Sequence, residues 1–139
     1  MIILDTNVIS ALMLSRPDLR VQDWLDRQQA GMIWTTSVTA YELRRGVGAM
    51  PEGRRKRDLA AQISRMFEGL LNGRVIQFDA EAAVYAARIW ADRRSRGQHV
   101  HIEDNLIAGI VAAHRSTLAT RDWRDFAGCG ISVINPWEG

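Results

Sequence analysis

Residues 1–10 read MIILDTNVIS. Ile2, Ile3 and Leu4 form a short apolar run of the kind found in a buried strand, and the polar triplet Asp5, Thr6, Asn7 ends it before a second apolar stretch begins. A carboxylate therefore stands at the edge of a core. Position alone leaves two readings of Asp5. In one it is a turn residue beside a helix that Thr6 or Asn7 caps, since acids near a helix N-terminus are favoured. In the other it is a functional group presented at the end of a strand.

Outward from this stretch, strand-like runs recur at MIWTTS, GRVIQFD, TLATRD and ISVINP, the last closed by Pro136. Helical stretches separate them. NVISALML and DLRVQDWLDRQQA follow the first strand, the second with Leu19, Trp24 and Leu25 toward one face. VTAYELRRGV predicts a helix that Ser37 or Thr39 is placed to cap. Gly46, Gly48 and Pro51 break it before RRKRDLAAQISRMFEGLL, where Leu59, Ile63, Met66, Phe67 and Leu70 hold helical spacing. AEAAVYAARIWADRRSRG, capped by Asp79 and ended at Gly97, and IEDNLIAGIVAAHR complete the set. Strands alternating with helices pair in parallel through right-handed crossovers. The expectation is one α/β domain over residues 1–139, three-layered, with a central parallel sheet of about five strands flanked by helices. Ligands in such sheets bind outside the carboxyl ends of the strands, near the point where strand order reverses.

At 139 residues the chain is long enough for a real core, and its 47% hydrophobic and 24% charged residues are an ordinary globular balance. No apolar run approaches the roughly 20 residues of a membrane span, and the start lacks the pattern of a signal peptide, so a cytoplasmic protein without membrane contact is expected. The single cysteine, Cys129 in AGCG, can form neither an internal disulfide nor a cysteine-based metal site, and reads as structural. Net charge is +2, with Lys56 the only lysine. Arg44, Arg45, Arg54, Arg55, Lys56 and Arg57 form one basic cluster; Arg93, Arg94 and Arg96 form another. Each suits a solvated helix end or a phosphate-facing patch equally well.

Four carboxylates gain a common address from the predicted topology. Asp5 follows the first strand, Glu42 lies near the start of the helix after the second, Asp104 lies in the first turn of the helix before the fourth, and Asp122 follows the fourth. Like charges brought within a few ångströms repel and raise each other's pKa, so such a cluster is costly without a cation. An all-oxygen donor set suits Mg²⁺ or Mn²⁺. Singly, Glu42 also reads as a helix carboxylate pairing with Arg44 or Arg45, Asp104 as a helix-start charge and Asp122 as a turn residue.

MIILDTNVIS, SVTAYELRRGV, IEDNLIAGIVAAHR and LATRDWRDF, in this order along essentially the whole chain, resemble the PIN-domain nucleases. Within them the likeness is to the VapC-type toxins of toxin–antitoxin pairs, and the terminal VINPW is similar to the FitB-like branch. The resemblance implies a metal-dependent endoribonuclease that cuts RNA to leave a 5′-phosphate and a 3′-hydroxyl, with one or two Mg²⁺ or Mn²⁺ ions in an acidic pocket. The family's acids fall on Asp5, Glu42 and Asp104, and its fourth, more variable position on Asp122, with Asp125 a competing or additional ligand. Thr6, Asn7 and Thr120 would hold carboxylates or waters in place. Also implied are a homodimer and a small antitoxin with a DNA-binding N-terminus, which masks the pocket and through which alone the complex reaches operator DNA.

Two rivals belong to other classes. A phosphatase built on a nucleophilic aspartate needs a second acid two residues on, where this chain has Asn7, and usually a lysine, for which only Lys56 exists. A catalytically inactive PIN-like subunit of a DNA-binding toxin–antitoxin complex would be free to lose its acids, and all four are present. His99, His101 and Glu103 have donor atoms for a metal, but their place at a helix start favours a loop or helix-end role. The five tryptophans, Trp24, Trp34, Trp90, Trp123 and Trp137, are core or interface residues by default, with one or two available to stack on RNA bases.

Overall fold

Ile3 and Leu4 are both fully buried but on opposite faces of their strand, because successive side chains alternate across a sheet. That alternation sets the architecture of the computed structural model, which describes residues 1–139. Leu4, Ile33 and Ala119 pack into one core with Val8, Ile9, Val21, Trp24, Leu25 and Ile63. Ile3, Ile76 and Leu118 pack into the other with Ala82, Ile89, Ile107, Ile110, Val111 and Phe126. Two helical layers on one sheet result.

The order is β1 (Ile2–Leu4), α1 (Thr6–Leu12), α2 (Leu19–Asp26), β2 (Ile33–Thr36), α3 (Ser37–Gly48), α4 (Arg54–Glu68), β3 (Val75–Ile76), α5 (Ala80–Ser95), α6 (Ile102–Ala113), β4 (Thr117–Ala119) and β5 (Ser132–Ile134). The five strands lie in the order β3-β2-β1-β4-β5, all parallel. The three-layer α/β expectation holds. The chain winds outward from β1 in one direction, then returns to β1's other side with β4, so strand order reverses between β1 and β4.

Local signals behave as side-chain chemistry dictates, with three differences. Asp79 caps α5 by accepting from the Ala82 N–H at 2.9 Å, as expected. The cap of α3 is Thr36, whose hydroxyl accepts from the Thr39 N–H at 3.0 Å; Thr39 donates rather than caps, and the Ser37 hydroxyl accepts from the Phe78 N–H at 3.1 Å instead. In α2, Leu19 is exposed and Val21 takes the buried place beside Trp24 and Leu25, because Asp18 caps the helix and turns its first residue to solvent. The third difference is at α1: Asp5 itself is the cap, and Thr6 and Asn7 lie inside the helix.

Gly109 fixes how closely α6 approaches α5. A β-carbon there would lie 2.7 Å from the Ala82 carbonyl oxygen and 2.6 Å from the Ala86 β-carbon, and neither can give way without moving helix backbone. Gly109→Ala should therefore cost about 1–3 kcal/mol of unfolding free energy despite its better helix propensity. A denaturant melt checks this, and an unchanged or raised midpoint would contradict it.

Candidate active site

The strand-order reversal puts the ends of β1 and β4 side by side, and the Asp5 N–H closes the gap by donating to the Ala119 carbonyl at 2.9 Å. Asp5, only 5% exposed, is held at both oxygens. Oδ1 accepts from the Thr6 N–H at 2.8 Å; Oδ2 accepts from the Thr120 hydroxyl at 2.8 Å and the Asn7 amide at 3.4 Å. The Asn7 Nδ2 also reaches Thr120 Oγ1 and Asp122 Oδ2, each at 3.1 Å, while its Oδ1 accepts from the Arg121 N–H at 3.2 Å. Thr120 Oγ1 accepts from the Asp122 N–H at 3.1 Å. Asn7 and Thr120 thus join the two strand ends through one hydrogen-bonded net.

Glu42 comes from α3 and turns inward rather than pairing with an arginine. Thr6 Oγ1 donates to its Oε1 at 2.8 Å and lies 3.2 Å from the Thr39 hydroxyl. Arg45 bonds Glu103 instead, and Arg44 reaches Ser64. Asp104, in the first turn of α6, is half-buried and receives no hydrogen bond from the chain. Asp122 precedes a 3₁₀ turn over Trp123–Phe126 and Asp125 lies within it; both are exposed.

These acids act on one another. Burial pushes the Asp5 carboxyl up to about 6, against hydrogen bonds from Thr120 and Thr6 that lower it, and Asp104 and Glu42 add repulsion. Asp104 is also pushed up to about 6, by burial first and then by Glu42, Asp125 and Asp122, against His101, which lowers it. Placed as they are, no three His, Cys, Asp or Glu side chains form a ready-made metal cage. The histidine candidate fails for a specific reason: Arg45 occupies Glu103, and His99 and His101 meet edge to face, 6.1 Å apart.

The sequence groups Arg93 with Arg94 and Arg96 as a solvated helix end or a phosphate-facing patch, yet Arg93 is 5% exposed and is neither. From α5 its guanidinium donates to the Asp125 carbonyl, to Cys129 Sγ at 2.9 Å and to Gln98 Oε1 at 3.3 Å. Beside it, Arg96 donates to the Gly128 carbonyl at 2.8 Å. Arg93 of α5 and Arg96 just past its end therefore pin the loop that carries Asp122 and Asp125. No local signal distinguishes Arg93 from Arg94, which lies over Trp90 at the surface.

A sheet with this order and an acidic group at its reversal point defines the class. A PIN domain model matches residues 2–128, and the chain belongs to the PIN-domain family. Among its relatives, VapC ribonuclease Y4jK of Sinorhizobium fredii is 38% identical over 138 residues, 99% of each chain. Toxin FitB of Neisseria gonorrhoeae is 34% identical over 138 residues, again 99% of each. The solved structure of FitAB bound to an IR36 DNA fragment matches with a TM-score of 0.88 at 34% identity, over 99% of this chain and 96% of that one.

A carboxyl raised in the folded state binds its proton more tightly there than in the unfolded chain. Its contribution to stability is thus complete below the unfolded value of 3.8 and lost as pH rises through about 6. In chelator, wild type should lose more stability between pH 4 and pH 7 than Asp5→Asn, the difference being at most about 3 kcal/mol for two units. The amide keeps the shape, and the Thr120 hydroxyl can rotate to accept from it. Parallel profiles in melts across that range would contradict the placement of Asp5.

Proposed function

We propose that this chain is the toxin of a toxin–antitoxin pair and a metal-dependent endoribonuclease, with Asp5, Glu42, Asp104 and Asp122 as its acidic site. The observation that carries this reading is the acidic group at the reversal point of the sheet, where the buried Asp5 is repelled by Asp104 and Glu42, and the half-buried Asp104 by Glu42, Asp125 and Asp122. Proteins retain such strained charges where they serve a site. The donor set is all oxygen, and Asp104 has no protein partner, which fits a hard divalent cation such as Mg²⁺ or Mn²⁺. Asp5, Asp104, Asp122 and Glu42 would hold it. Held by these residues, a divalent ion would supply a water of lowered pKa and neutralise charge on a phosphate, so no protein nucleophile would be needed.

The remaining residues position these acids. Thr6 orients Glu42, Thr120 orients Asp5, and Asn7 spans Asp5 and Asp122. Asp125, near enough to raise Asp104, is the additional acid. Names such as VapC ribonuclease and toxin FitB, borne by relatives that match over 99% of the chain, support the ribonuclease and toxin assignments. The FitAB–DNA structure supports a small antitoxin as partner and operator DNA reached through it; the homodimer rests on the family resemblance alone. No helix is long and apolar enough to cross a membrane.

Expressed without a partner, the wild-type chain should arrest bacterial growth, and Asp5→Asn should relieve the arrest while the protein still accumulates. Equal toxicity would remove the nuclease reading. On RNA with Mn²⁺, Asp122→Asn should abolish cleavage and Asp125→Asn slow it modestly. The reverse ranking would move the fourth acid to Asp125.

A further inference from the structure

A cavity of about 390 Å³ lies between the 3₁₀ turn and the end of β5, walled by Trp123, Phe126, Ile131, Val133, Asn135 and Glu138. Its size falls within the range of small-molecule sites. The acids do not line it, yet Trp123 directly follows Asp122, which places the cavity beside the acidic group. Phe126 is buried and forms a fixed wall; Trp123 is 42% exposed, with the Arg124 guanidinium 5.1 Å from its ring centroid. Asn135 is oriented by its own backbone: its Oδ1 accepts from the Trp137 N–H at 3.0 Å, and its carbonyl accepts from the Glu138 and Gly139 N–H groups at 3.0 and 3.2 Å. That leaves its Nδ2 donors unused. The Glu138 carboxylate makes no hydrogen bond or ion pair within the chain, and Glu138 lines the same cavity as Asn135.

We propose that this cavity receives one unpaired guanine of the RNA substrate next to the bond that is cut, an inference that rests on the nuclease reading above. An aromatic wall with an arginine beside it suits stacking of a splayed-out base and contact with its phosphate. The two free polar groups then select the base. A carboxylate only accepts, and guanine alone presents two adjacent donors, N1–H and the N2 amino group, on one edge. The Asn135 amide donates to the neighbouring O6. Adenine and cytosine carry a ring acceptor where guanine carries N1–H, and uracil has a single N–H and no amino group. A base stacked and paired in a duplex cannot enter, so the substrate is single-stranded where it is cut.

Binding separates this proposal from the chemistry. Asp5→Asn protein in chelator is titrated with labelled hexauridylates carrying one central guanine, adenine or inosine. Guanine should bind about tenfold or more tightly than adenine, as expected of a bidentate base contact. Adding Trp123→Ala should abolish the preference, Trp123→Phe should keep it, and Glu138→Gln should erase the advantage of guanine over inosine, which lacks the N2 amino group. Equal binding of guanine and adenine, or a preference that survives both Trp123→Ala and Glu138→Gln, would overturn the proposal. Cleavage by the wild type in Mn²⁺ without guanine bias would overturn it too and leave the nuclease reading standing. Guanine-selective binding by a chain that cuts no RNA would do the opposite.

Discussion

The carboxylate of Asp5 is buried at the end of the middle strand, and the arrangement of the site follows from keeping it there. Burying a charge is costly unless hydrogen bonds or an opposite charge compensate. Here Thr6, Thr120 and Asn7 supply the hydrogen bonds, and the carboxyl is still pushed up to about 6. Each donor has a second task. Thr6 opens α1 and reaches Glu42, Thr120 follows β4 and fixes the Asp122 backbone, and Asn7 touches Asp122 itself. Solvating one charge therefore fixes the position of two others.

Asp104 is treated differently. It sits in the first turn of α6, where the helix dipole favours an acid, but receives no hydrogen bond and faces Glu42, Asp125 and Asp122. One side of the pocket is thus satisfied by protein groups, and the other is left with an unpartnered carboxylate. Arg93 and Arg96 hold the outer wall from behind, bonding backbone carbonyls of the Asp122–Gly128 loop rather than its carboxylates. Cation and acid are kept apart, so the negative potential of the pocket is not cancelled by its own scaffold.

Much of this was legible because it is local. An apolar triplet followed by Asp5, and the spacing of strands and helices, determine both the layer order and which acids share an end of the sheet. Asp79 announced its cap for the same reason. What was illegible depends on distant partners. Thr36 looks like the last residue of a strand and is also a cap. The two readings of Asp5 looked exclusive, but the residue caps α1 and joins the acidic group at once. Arg93 differs from its neighbours only through contacts with Asp125 and Cys129, far along the chain, and Val21 displaces Leu19 because Asp18 sets the phase of a short helix. The cavity beside Trp123 is assembled from a turn and a strand end that no motif connects.

The central claim is that the strained acids are a cation site rather than surplus charge. Thermal melts of the wild type and Asp104→Asn, each with chelator and with Mn²⁺, test it most directly. Without metal, Asp104→Asn should melt higher, because it removes repulsion and leaves a near-isosteric amide. Mn²⁺ should stabilise the wild type by about 2.7 kcal/mol at a hundredfold excess over its dissociation constant, and the substitution should erase most of that gain. An Asp104→Asn protein that melts lower in chelator, or that keeps the full Mn²⁺ shift, would show that Asp104 is an ordinary helix-start carboxylate and that the acids do not form one site.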